Sequence, residues 1–196
     1  MSSWISERAK LCANGGARHK MNQVNWYVFF VRTGGEERVK QLLLKWLDEE
    51  VCKPFIPIRE RLFKAAGTVK KELAPLFPSY VFVESCLPNL NFISSVNSLL
   101  YSSYDIVRLL RYSKAEASLR DSERQVLKSL CNDKYCIESS TGYIEGGKLY
   151  IIDGPLKGKS NMVKKIDRHK RQAIIQLEFM GEIKLVNVAV EIISKN

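Results

Sequence analysis

Pro75-Leu76-Phe77-Pro78-Ser79-Tyr80-Val81-Phe82-Val83 is the stretch on which the fold turns. Each proline holds its predecessor extended, so a proline-framed turn feeds directly into a strand on which Tyr80 and Phe82 share a face. Upstream, residues 55 to 62 are extended and interrupted by Pro57, and a basic loop with Gly67 leads through Val69-Lys70-Lys71 toward Leu73. This reads as a strand pair or arm. Further upstream, N-W-Y-V-F-F-V (Asn25–Val31) is apolar on both faces and suits a central strand covered on both sides. Thr33-Gly34-Gly35-Glu36 has the T-x-x-E form of a capping box. The helix it predicts carries Val39, Leu42, Leu43, Trp46 and Leu47 as one apolar stripe.

Downstream of the deciding stretch, Pro88 suits the first turn of a helix whose inner side is Leu90, Ile93 and Val96. A strand over residues 106 to 110 completes the unit. The order strand, helix, strand, strand, helix, strand describes an α/β sandwich with helices on one side of an antiparallel sheet. Residues 121 to 130 read as a short helix, capped by Asp121 or Ser122, with Val126, Leu127 and Leu130 inward. Residues 132–142 have the composition of a connection. After Gly147 the pattern alternates over residues 149 to 152, 162 to 166, 173 to 179 and 183 to 188, with turn signals at Asp153-Gly154-Pro155, Gly158 and Gly181. The fold class expected is therefore α+β: an α/β sandwich over residues 25–131, a linker over 132–142 and a small all-β barrel over 143–196.

A chain of 196 residues has room for two such cores. Lys and Arg number 31 against 21 Asp and Glu, a net charge of +10, which favours a polyanionic partner, with nucleic acid first. No stretch approaches the roughly 18 apolar residues of a spanning helix, and no lipidation motif is present. Residues 1–24 lack the continuous apolar core of a secretory signal and read as a disordered extension, an upstream start or a leftover of cloning. The five cysteines, Cys12, Cys52, Cys86, Cys131 and Cys136, form no C-x-x-C pair and read as free thiols in a reducing cytoplasm. His19 and His169 are the two histidines, so no metal site and no cofactor is expected.

The densest chemistry is cationic. Lys157, Lys159, Lys164, Lys165, Arg168, Lys170 and Arg171 crowd one window opposed by Asp167, with His169 inside it. Such a cluster focuses potential onto phosphates and releases counterions on binding, whereas the plainer reading is a solvated hairpin loop. His169 can stack on a base or bridge a phosphate, or be an ordinary surface residue. Gly154-Pro155-Leu156-Lys157-Gly158-Lys159-Ser160 is one residue short of the phosphate-cradling G-x-x-x-x-G-K-[ST], and the residues after it alternate like a strand. No paired carboxylates, Cys-His arrangement or nucleophile elbow stands out, so the chain is not read as an enzyme.

P-L-F-P-S-Y-V-F-V resembles the signature of the NusG amino-terminal domain, an apolar and proline turn followed by P-G-Y-V and a strand; Ser79 stands where that pattern has glycine. N-W-Y-V-F-F-V-R-T-G and the E-E-x-V helix resemble the same domain. L-Y-I-I-D-G-P-L-K-G resembles a KOW module, the SH3-like barrel that forms the second domain of that family. G-P-L-K-G-K, K-I-D-R-H-K-R-Q-A and R-L-L-R-Y are most similar to the LoaP branch, a specialised antiterminator group with a basic KOW domain associated with a leader-RNA hairpin.

The resemblance implies a monomeric elongation and antitermination factor in the cytoplasm. It implies RNA polymerase binding at Phe77, Pro78 and Tyr80, on an exposed apolar surface, with Phe55 and Phe63 as weaker neighbours. It implies RNA contact by the cationic window. Two alternatives stand beside it: a general NusG-type factor whose KOW barrel binds a ribosomal protein, and a ribosome-associated KOW protein that binds rRNA.

Overall fold

The computed structural model describes residues 24–193. The extension expected over residues 1–24, with Cys12 and His19, falls outside the described residues save for Val24. In chain order the elements are β1 (Asn25–Val31), α1 (Glu36–Trp46), β2 (Cys52–Phe55), β3 (Ile58–Ala65), β4 (Thr68–Pro75), β5 (Tyr80–Ser85), α2 (Asn89–Val96), β6 (Ile106–Leu109), α3 (Asp121–Leu130), β7 (Cys136–Ile137), β8 (Ser140–Glu145), β9 (Lys148–Asp153), β10 (Val163–Asp167), β11 (Gln172–Phe179) and β12 (Glu182–Ile192). The expected mixture of an α/β unit and a curled, barrel-like sheet is what forms. Contacts divide the chain into two compact units, one of residues 24–55 and 81–118, the other of 56–80 and 119–193.

The first unit is built on a four-stranded sheet in the order β2-β5-β1-β6, with β1/β6 and β2/β5 antiparallel. β1 lies inside the sheet and buries Trp26, Tyr27, Val28 and Phe29 in succession, as an all-apolar run must when both faces are covered. Tyr27 stacks flat on Phe92 of α2 at 3.7 Å between centroids, and its hydroxyl donates to the Leu87 carbonyl (2.7 Å), so its polar tip is satisfied. α2 starts from Pro88 and turns Phe92 and Val96 inward, while Leu90 faces solvent. The expected Leu90 side is displaced because stacking on Tyr27 recruits Phe92 instead. Asn89 Oδ1 accepts the N–H groups of both Ala117 and Ser118 (2.7 Å each), tying the end of the unit to the helix.

α1 buries Val39 and Leu43 of its stripe, and Trp46 at its end stays exposed. Its N-cap is Gly35, not Thr33, and no side chain caps it there. The chain is still turning at Thr33: Gly34 takes φ +81° and the Gly35 N–H donates to Arg32 O (2.8 Å), so the helix begins later than the capping box requires.

In the second unit, β3 and β4 form an antiparallel hairpin from Ile58↔Pro75 to Ala65↔Thr68, and β7 adds in parallel to β3. A five-stranded sheet runs β10-β11-β12-β8-β9. β12 pairs antiparallel with β11 over Glu182 to Ala189 and then in parallel with β8 over Val190 to Ile192, so one strand serves two neighbours along its length. That handover lets a small sheet curl round a core of Leu156, Ile175, Leu177, Phe179, Val186 and Val188. Residues 132–142, which read as a connection, contain β7 and the start of β8. Asn132 Oδ1 accepts the N–H groups of Lys134 and Cys136 (3.0 Å each), a turn that delivers the chain to β3.

α3 packs within this second unit, and its cap is neither Asp121 nor Ser122 but Arg120. The buried Glu123 reaches back to the Arg120 N–H (3.1 Å) and across to the Gly181 N–H (2.8 Å). Two backbone donors satisfy a carboxylate that would otherwise be costly to bury. The helix turns Leu127 and Leu130 inward as expected, and of the three positions only Val126 departs, left exposed.

Candidate nucleic-acid interface

The cationic window folds as the hairpin β10–turn–β11 with its approach loop. Gly154 has φ +93°, and a side-chain carbon there would lie 2.6 Å from Ser140 Cα, so glycine is required where the loop crosses β8. Leu156 plugs the core completely, its N–H held by Ser140 Oγ (3.1 Å), and Lys157 is left on the surface. Among the described residues no α-helix comes after Gly158; a single 3-10 turn, Ser160–Met162, leads straight into β10, which removes the phosphate-loop reading. A register shift between Val163 and Lys165 marks a bulge, and both consecutive lysines, Lys164 and Lys165, end up exposed.

At the tip, the Lys170 N–H donates to Asp167 Oδ1 (2.9 Å) and Arg171 takes φ +51°, closing the turn. Arg168, His169 and Lys170 are exposed there. The cations differ in their commitments. Arg171 pairs with Glu191 (3.2 Å), Lys170 lies at the 4.0 Å limit from Asp167, and Lys159 Nζ donates to the carbonyls of Ser129 and Pro155 (3.3 Å each). Among the described residues, Lys157, Lys164, Lys165 and Arg168 enter no ion pair.

The tip also faces a cleft of about 570 Å³ that sequence reasoning missed. Its other wall is β3, which contributes Arg59, Arg61, Phe63 and Lys64, against Lys170 and Arg171 from the hairpin. The signal lies in R-E-R-L-F-K: alternation along a strand puts Arg59, Arg61 and Phe63 on one face. Arg59 is half-buried, and burial first and the neighbouring Arg61 charge second pull its guanidinium below the ordinary arginine range. The one carboxylate in the lining, Glu60, is already committed to the Ser139 N–H (2.7 Å) and Lys71 (3.2 Å). Burial opposes its ionisation, but these partners outweigh that and hold its carboxyl below the usual range.

The aromatic positions do not form one surface. Phe55 is buried in the first unit against Trp26 and Phe82, at 5.0 and 5.4 Å between ring centroids. Phe77 is 4% exposed and stacks on Phe179 at 4.6 Å, while Tyr80 meets the edge of the same ring at 5.3 Å and stays half-buried. The expected exposed patch near Phe77 and Tyr80 is therefore corrected at Phe77 and its neighbour Phe55: both are core, because the fold brings other rings against them, Trp26 and Phe82 on Phe55 and Phe179 on Phe77. Pro78 is exposed. Phe63, 43% exposed, pairs with Lys70 near the turn of the β3–β4 hairpin, at the opposite end from the Ile58↔Pro75 pair. Five strand residues, roughly 16 Å, separate it from the segment that precedes Pro78.

Among the described residues no group of His, Cys, Asp and Glu could hold a metal ion, and no helix is long and apolar enough to cross a membrane. Cys52, Cys86, Cys131 and Cys136 are not in disulfides, and burial pushes the Cys131 thiol up to about 12.

The family model for NusG, "Transcription termination factor nusG", matches residues 24–128, more than half of the chain. Similar proteins include "Transcription termination/antitermination protein NusG" of Rickettsia typhi, 22% identical over 186 residues that cover 90% of this chain and 93% of that one. The protein of the same description from Rickettsia felis is 22% identical over 184 residues, 89% and 92% of the two chains. Among solved structures, "Domain interaction in Thermotoga maritima NusG" covers 85% of this chain and 93% of that chain at 19% identity, with a TM-score of 0.49.

Proposed function

The chain belongs to the NusG family of transcription termination and antitermination factors, which are not enzymes, and from that premise we propose that it is a specialised antiterminator of the LoaP type. The polymerase-binding surface lies within residues 25–131, residues 132–142 carry the chain onward through β7, and a KOW-type barrel within residues 143–196 holds a structured leader RNA. The observation that carries the RNA half is the hairpin of β10 and β11, which displays Lys164, Lys165 and Arg168 in solvent without carboxylate partners among the described residues. Exposed cations that neutralise nothing internally are the side chains that gain from phosphate contact.

RNA polymerase is engaged through exposed Pro78 and half-exposed Tyr80, with Phe77 and Phe179 as the packed support beneath them. Binding there favours one conformation of the polymerase by the difference in affinity between conformations. RNA capture by the barrel raises the local concentration of the factor at chosen transcripts. The whole protein acts in the cytoplasm, as a monomer.

Filter binding of the full chain to stem-loop RNA across a salt series tests this. Changing Lys164, Lys165 and Arg168 together to Gln reduces the dependence of log K on log salt by about 0.9 for each phosphate that is no longer neutralised. An unchanged slope removes these residues from the interface. In parallel, Pro78→Ala with Tyr80→Ala reduces co-purification with RNA polymerase without moving the thermal transition far.

One observation favours a second reading. Ile183 and Leu185, on one face of β12, are 66% and 63% exposed, an apolar pair suited to a protein partner of the barrel such as a ribosomal protein. A barrel indifferent to RNA that binds such a protein, with loss of binding in Leu185→Ser, would select that reading.

A further inference from the structure

The basic cleft is more than a continuation of the hairpin tip. It joins two segments far apart in the chain, β3 and the β10–β11 turn, both within the second unit. Five cationic side chains line it against the single carboxylate of Glu60, and that carboxylate is turned to Ser139 and Lys71. Arg61 has Glu72 at 3.7 Å on the surface, whereas Arg59, half-buried beside it, enters no ion pair among the described residues. Two adjacent guanidinium groups on one strand face repel each other, and the arrangement is relieved by an anion that both can reach. Phe63, two positions on and on the same face, exposes its ring beside those cations.

Cations alone would suit any polyanion. A cationic wall with an exposed ring suits a nucleic-acid strand whose bases are free to stack, because a duplex keeps its base faces covered. We propose that this cleft takes an unpaired segment of the bound RNA, with its phosphates against Arg59 and Arg61 and one base stacked on Phe63. The proposal rests on the reading of the hairpin tip as an RNA site and adds to it a single-stranded subsite contributed by β3. The tip grips the stem and the cleft grips the loop, so the preference for a stem-loop over a plain duplex comes from the cleft.

The test uses the full chain and two fluorescent RNAs that share one stem, one closed by an all-uridine loop and the other by an abasic loop. Wild type binds the uridine loop tighter by about tenfold, the order of one base stacked on an aromatic ring. Phe63→Ala loses that factor on the uridine loop and changes nothing on the abasic loop. Arg59→Gln with Arg61→Gln lowers the salt slope on both by about one to two phosphates' worth. Arg61→Gln alone, at an exposed position, serves if the double variant fails to fold.

Equal effects of Phe63→Ala on the two RNAs, or an unchanged salt slope in the arginine variants, overturn the cleft. If the triple variant at Lys164, Lys165 and Arg168 still lowers the slope in that case, the tip remains an RNA site and only the subsite falls. If wild type binds neither RNA, the RNA reading and the cleft fall together.

Discussion

The ring of Phe77 and the side chain of Arg168 both read as surface in the sequence, and only Arg168 is exposed. A cationic side chain discloses its own position, because burying it without a partner costs several kcal/mol and a cluster with one local carboxylate has nowhere to go but solvent. An aromatic ring discloses much less. The same ring can fill a core or cap a docking surface, and which happens depends on whether another ring, here Phe179, arrives from elsewhere in the chain. Charge is thus legible locally, and apolar exposure is a property of the whole fold.

The most forceful way to break this comparison is at the ring. Phe77→Ala should cost about 3–5 kcal/mol, read as a lower melting temperature, because it removes the partner stacked on Phe179. A variant as stable as wild type would return Phe77 to the surface and undo the contrast. Ser79 gives a smaller effect of opposite sign. It holds φ +71°, a conformation that suits glycine, so Ser79→Gly should gain up to about 1 kcal/mol in urea unfolding.

Glu60 sharpens the comparison from the side of charge. Its folded carboxyl lies below the ordinary value of 4.5, so its contribution is fully present above that value and is lost as pH falls through the lower, folded one. The stability difference between wild type and Glu60→Gln should therefore shrink below about pH 4.5 and be level between neutral pH and that point. The least effect on stability belongs to the tip: Lys164, Lys165 and Arg168 changed to Gln should each move it by no more than about 0.5 kcal/mol, in contrast to their effect on RNA.

Much of the fold was legible for local reasons. β1 is apolar on both faces after Asn25 and lies inside its sheet, the β3–β4 hairpin turns at Gly67 as its loop composition suggests, and the alternation after Gly147 forms strands. The misses share a physical origin in tertiary contacts. Leu90 loses its place to Phe92 because Tyr27 offers a stacking face, and Thr33 loses the cap to a turn set by Arg32 and Gly34. Glu123 looks like an ordinary helix carboxylate until the Gly181 N–H, 58 positions away, is placed against it. Arg59 and Arg61 do not stand out along the chain because their cluster is completed across it, by the hairpin tip.

The handover along β12 also turns one backbone amide into a reporter. The Val190 N–H, at the position where β12 leaves β11 for β8, donates to the Arg171 carbonyl at the base of the cationic turn (3.0 Å). That amide is thereby a built-in gauge: its exchange with deuterated water is governed by how firmly the turn is seated, and clamping the turn from outside would slow it without any contact to Val190 itself.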